Sequence, residues 1–134
     1  MKSEKQSDVE YLTSENMKGL PFSEAVRMGN VLYLSGQMGI DASIDASIHL
    51  VPGGIAEETR QALENIKRTL EKYGSSLEHV IKVTVMLADM SEWAEMNKVY
   101  VRYFSRNLPA RSSFGTSGLA LGGRVEIECI AVLK

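Results

Sequence analysis

The clearest pattern in the chain is at its end. Val125, Ile127, Cys129, Ala131 and Leu133 fall on one side of an alternating run, and Glu126, Glu128, Ile130 and Val132 fall on the other. A period of two marks a half-buried strand, and here it leaves two carboxylates among apolar neighbours. A second alternating run covers Val80 to Ala88, with Ile81, Val83, Val85 and Leu87 set against Lys82 and Thr84. Two apolar runs, Phe22 to Met28 and Val31 to Leu34, are joined by Gly29-Asn30, a two-residue hairpin signal. Val9 to Leu12 reads as a shorter extended piece. Two stretches repeat with a helical period instead. After Pro52-Gly53-Gly54, the stripe Ile55, Thr59, Ala62, Leu63, Ile66, Leu70 and Tyr73 predicts a helix that Gly74 stops. Glu64 and Arg68 stand in a favourable i,i+4 relation on its outer side. The second stripe is Trp93, Met96, Asn97, Tyr100, Tyr103 and Phe104, capped by Asp89 or Ser91 and ended by Pro109.

Strands, a helix, a strand, a helix and a final strand predict an α+β fold, with both helices packed on one face of a mixed sheet. The other face is then bare, and Ile130 and Val132 on it predict an assembly interface. Residues 1–134 read as one domain with a loose polar start over 1–8. Asp-Ala-Ser-Ile occurs twice over 41–48, too short for a repeat architecture, and is taken as a loop.

Composition narrows the function. The chain has 134 residues, 44% hydrophobic and 24% charged, the balance of an ordinary globular protein. A net charge of −2 gives no basic field for tracking phosphates. The single cysteine, Cys129, forms no internal disulfide and sits on the apolar side of its strand, which suggests a core thiol in a reducing compartment. No apolar run reaches the roughly 20 residues of a membrane span, and the start lacks a signal-peptide core, so a cytoplasmic location is expected. His49 and His79 have no partners at ligand spacing, and the Gly118–Gly123 stretch matches no nucleotide motif. Neither a metal nor a cofactor is expected.

Arg111 follows Pro109 in an extended segment near the final strand, so an arginine and a carboxylate are expected to meet. Such a pair suits a small carboxylate substrate, gripped by the guanidinium while Glu126 handles a proton or a water. From pattern alone, an Arg111 that caps a surface ion pair and a solvated Glu126 are the commoner outcome. Asn97, the one strongly polar residue on its stripe, serves either the core or a cleft. Ser35-Gly36-Gln37 reads as a strand end with a glycine bend.

Pro109-Ala110-Arg111-Ser112, followed by Val125-Glu126-Ile127-Glu128-Cys129-Ile130-Ala131, resembles the C-terminal signature of the YjgF/RidA family of reactive-intermediate deaminases. Pro21-Phe22-Ser23-Glu24-Ala25-Val26, Leu34-Ser35-Gly36-Gln37, Thr59 to Ile66 and Asn97-Lys98-Val99-Tyr100 stand in the matching order. The resemblance covers residues 20 to 134 and implies a chorismate-mutase-like fold assembled as a homotrimer, with ligand clefts between subunits. It implies hydrolysis of 2-imino acids and their enamine tautomers, such as 2-aminoacrylate, to 2-keto acids and ammonia. Arg111 would bind the substrate carboxylate and Glu126 would activate water. Phe22, Ser35, Gly36, Asn97 and Ser113 would line the cleft, Ser113 through its backbone N–H. A non-catalytic carboxylate-binding or regulatory trimer is the alternative, and an endoribonuclease the less favoured one, with no nucleic acid expected as partner. Phe22 and Glu24 depart from the Tyr and Gln usual in the family, and Ser113 replaces a frequent Cys. Gly115 to Gly118 and Leu121 to Gly123 replace a more β-branched strand and a Leu-Pro-Lys-Gly turn.

Overall fold

The computed structural model describes residues 8–41 and 48–134. Residues 1–7, and 42–47 of the doubled Asp-Ala-Ser-Ile, lie outside the described residues. The strands are β1 (Val9–Leu12), β2 (Ala25–Met28), β3 (Val31–Leu34), β4 (Gln37–Met38), β5 (Val80–Leu87), β6 (Ala110–Gly115) and β7 (Val125–Val132). The helices are α1 (Gly54–Lys72) and α2 (Trp93–Tyr103). The sheet runs in the order β1-β2-β3-β7-β5-β6, with β4 pairing farther along β7. All pairs are antiparallel except β5 with β6. A parallel pair needs a crossover, and α2 supplies it.

The alternating runs form strands for the reason their pattern gives. Val125, Ile127, Cys129 and Ala131 are buried under the helices, opposite Leu87, Val85, Val83 and Val80. Ala62, Leu63, Ile66 and Leu70 of α1, Met96 and Tyr100 of α2, and Phe104 just after it close this core from above. Each large aliphatic side chain buried there contributes about 1.5–3 kcal/mol. Gly29 adopts φ +58 at the first turn position between β2 and β3, a conformation that glycine takes without strain. Tyr103 ties the two helices together through a 2.8 Å hydrogen bond to Glu64. Burial and that carboxylate push its phenol up to about 12.

Several local expectations are corrected. Ile81 is not on the core face. The register slips between Val80 and Lys82, a β-bulge that drops one residue out of the alternation, and Ile81 is left 49% exposed. Glu64 accepts from Tyr103, and Arg68 turns to Asn65 at 2.7 Å, so the two do not pair. Asp89 accepts from the Ser91 N–H but caps the short turn Met90–Glu92 rather than α2 itself. The helix ends at Tyr103, where Phe104 leaves the helical region, well before Pro109. The first hairpin strand starts at Ala25 rather than Phe22, and the chain after Gly36 re-enters the sheet as β4.

Candidate active site

Arg111 lies opposite Val83 in the parallel β5–β6 pair, so it shares Val83's helix-covered face at the edge of the sheet. Directly above it, α2 presents Trp93, Asn97 and Tyr100 at i, i+4 and i+7, a single helical stripe. The Arg111 Nη1 donates to Asn97 Oδ1 at 2.8 Å. The guanidinium carbon stands 4.6 Å from the Tyr100 ring centroid and 5.9 Å from that of Trp93. Burial pushes the Tyr100 phenol up, although the Arg111 charge pulls the other way, so Arg111 rests on a neutral ring. Among the described residues, no carboxylate pairs with Arg111. A cation fixed by an amide and aromatic faces, with fork donors left over, has the chemistry to receive an anion. The Ser113 hydroxyl, next on the same side of β6, is buried without a hydrogen-bond partner among the described residues.

Glu126 faces the other way. In β7 it pairs with Met86 of the neighbouring β5, on the open side of the sheet, and is half-buried. Gly36 runs directly against its carboxylate: a side chain at position 36 would stand 2.9 Å from the Glu126 carboxyl carbon. Burial raises the Glu126 carboxyl above its ordinary range, and the nearby Glu128 charge raises it further. Among the described residues nothing donates a hydrogen bond to it. Glu128 is exposed one step along the same face.

The expectation that neighbouring segments bring Arg111 and Glu126 to one place is corrected within the chain. The order β7-β5-β6 puts β5 between them, and the alternation sends the two side chains to opposite faces. Phe22, 52% exposed, precedes β2, which β3, β7 and β5 separate from β6. Ser35 donates through its hydroxyl to the Ser23 carbonyl at 2.6 Å and through its N–H to Glu24 at 3.1 Å. The Phe22 loop is therefore tied to the chain that leads into Gly36. Phe22, Ser35, Gly36 and Glu126 thus belong to one group, and Asn97, Arg111 and Ser113 to another.

Glu24 turns inward beneath that loop. It accepts from Ser14 at 2.6 Å, Tyr73 at 2.7 Å and Lys72 at 3.2 Å. Burial pushes its carboxyl up, but the three donors outweigh this and hold it below the usual range. No local pattern reveals this cluster, because Ser14 and Glu24 come from separate loop segments and Lys72 and Tyr73 from the C-terminal end of α1. Trp93 and Tyr100 were legible as stripe residues, and their i, i+4, i+7 spacing with Asn97 was the available signal for the Arg111 cage. Cys129 is buried, which pushes its thiol up to about 12 and leaves it a poor nucleophile. Among the described residues no group of three or more His, Cys, Asp and Glu could hold a metal, and no helix is long and apolar enough to cross a membrane.

The α+β fold and the sequence that builds it have counterparts. Residues 15–133 match the family described as endoribonuclease L-PSP, and the chain belongs to that family, which is also called YjgF/RidA. It is 47% identical to the 2-iminobutanoate/2-iminopropanoate deaminase of Bos taurus over 112 residues, covering 84% of this chain and 80% of that one. The crystal structure of yeast Mmf1 superposes with a TM-score of 0.84 at 35% identity, covering 94% and 99% of the two chains. That of RidA from the Antarctic bacterium Psychrobacter sp. PAMC 21119 gives 0.80 at 34% identity, covering 94% and 98%.

Proposed function

We propose that the protein hydrolyses 2-imino acids and their enamine tautomers to 2-keto acids and ammonia. The observation that carries this reading is Arg111, a caged guanidinium with no carboxylate partner among the described residues. The deaminase names of relatives at 47% and 46% identity support the reaction class. In this reading Arg111 grips the substrate carboxylate with its planar fork. The imine carbon is already electrophilic, so an oriented water and a proton acceptor suffice. Glu126 takes a proton from that water as its oxygen bonds to the carbon of the N-protonated imine, giving a neutral carbinolamine. Glu126 then returns that proton to the nitrogen, the C–N bond breaks, and ammonia leaves as the hydroxyl releases its proton to solvent and the carbonyl forms. A carboxyl raised by burial is suited to this base role, since its affinity for a proton lies closer to working pH.

Arg111 and Glu126 would meet only between copies, because they occupy opposite faces of one sheet. A homotrimer with the Arg111 edge of one copy against the Glu126 face of the next meets that requirement. The open face has the character such an assembly needs. Tyr11, Met28 and Tyr33 are exposed there, beside Ile130 and Val132.

The reaction is tested by generating 2-aminoacrylate enzymatically and trapping the imino acid with semicarbazide. Added protein should slow semicarbazone formation by diverting the imine to keto acid. Unchanged trapping at protein concentrations equal to the imine would contradict deamination, and keto-acid binding without turnover would leave a carboxylate-binding trimer.

A further inference from the structure

Trp93, the single tryptophan of the chain, is 43% exposed although it begins a helix that packs into the core. The chain that leads into it is held at two points. The preceding turn is closed by the Asp89–Ser91 hydrogen bond, and Glu92 holds Arg124 Nε at 3.0 and 3.1 Å. Arg124 is itself anchored, its N–H donating to Glu58 of α1 at 2.9 Å. The start of α2 is therefore held in place, and the large aromatic ring it carries keeps nearly half its surface open. It stands beside the proposed carboxylate anchor, 5.9 Å from the Arg111 guanidinium.

We infer that Trp93 determines side-chain specificity, giving an apolar wall to the substituent on the imine carbon. This rests on Arg111 as the carboxylate anchor. A carboxylate held by a guanidinium fork lies about 2.8 Å from its nitrogens, so the next carbon and its substituent emerge close to the arginine's own neighbours. Of those neighbours Tyr100 is 6% exposed and lies beneath the guanidinium, and the Asn97 carbonyl is occupied by Arg111. Trp93 is the neighbour with open apolar surface. Phe114, the other exposed aromatic on this edge, points to the opposite face with Met86. A methyl substituent is too short to cover the indole, whereas a branched or thioether side chain of several carbons displaces water from it. The wall therefore favours imines derived from leucine or methionine over the imine derived from alanine.

The test compares kcat/KM for the leucine-derived and alanine-derived imines in wild type, Trp93→Phe and Trp93→Ala. Removing the wall should reduce the leucine-to-alanine ratio by about fivefold or more, mostly through KM, with Trp93→Phe in between. Trp93→Phe keeps an aromatic ring at the start of α2 and decides the matter if the alanine variant does not fold. Trp93 also reports directly: 4-methyl-2-oxopentanoate should change its fluorescence more than pyruvate does, and Arg111→Ala should abolish both responses. Equal ratios in wild type and Trp93→Phe, with fluorescence indifferent to the keto-acid side chain, would overturn the specificity role while leaving the deaminase reading standing. No turnover of either imine, and no calorimetric binding of either keto acid by wild type, would instead bring down the deaminase reading and this inference with it.

Discussion

Gly36 and Glu126 touch: a Cβ at position 36 would meet the Glu126 carboxylate head-on, 2.9 Å from its carboxyl carbon and 3.1 Å from its Cγ. The glycine is the backbone wall against which the proposed base is held. Gly36→Ala should therefore leave the fold and displace the carboxylate. The obstructing atoms are the far end of a flexible side chain, so unfolding free energy should change by less than about 1 kcal/mol. Turnover should fall about tenfold or more, because a misplacement near 1 Å is enough to spoil a proton transfer. Denaturant unfolding and steady-state kinetics on the same variant separate the two effects.

The pH dependence follows from the same carboxylate. Burial, and then the Glu128 charge, raise the Glu126 carboxyl, so it loses its base form at a higher pH than an ordinary glutamate near 4.3. The acid limb of kcat/KM should lie above that value. Glu128→Gln removes the repelling charge and should move the limb to lower pH, whereas Glu126→Gln should lower turnover about 10²-fold or more. A limb that Glu128→Gln leaves in place, or moves upward, would remove Glu126 as the titrating base.

Glu24 governs stability instead. Burial opposes its charge, but Ser14, Tyr73 and Lys72 together hold its folded-state proton affinity below the unfolded value. Its contribution is thus complete above the unfolded pKa and is lost as pH falls through the folded one. Glu24→Gln should destabilise by about 1–3 kcal/mol at neutral pH. The gap between variant and wild type should shrink on acidification below about pH 4. Urea titrations across pH measure this, and a gap that widens in acid would show that the network acts some other way.

Arg111→Lys tests the receptor. A lysine keeps the charge but neither stacks on Tyr100 in the same way nor offers a fork. Binding of 2-oxobutanoate, measured by calorimetry, should weaken about tenfold or more. Wild-type affinity in this variant would show that the fork is not what the ligand uses.

The fold was largely legible because its elements announce themselves locally. The period of two in β7 and the stripes of α1 and α2 were read from residue spacing, and the buried Val125, Ile127, Cys129 and Ala131 follow it. Alternation alone places Ile81 in the core, because it does not reveal the residue that a bulge adds. The relation of Arg111 to Glu126 was misread for a longer-range reason. That β5 lies between β6 and β7 depends on strand pairing across the whole sheet, and no local period encodes strand order. The Glu24 cluster escaped for the same reason, since Ser14, Glu24 and Tyr73 meet only after the sheet and α1 have packed.

The central claim is that Arg111 of one copy and Glu126 of another complete each site, and mixing two inactive proteins tests it most directly. Arg111→Ala keeps its glutamate and Glu126→Gln keeps its arginine, so co-expressed as mixed trimers they should restore one intact site in each mixed assembly. With random assembly about a quarter of the wild-type rate should return. Mixed trimers, confirmed by mass, that remain as inactive as either parent would contradict a site shared between copies.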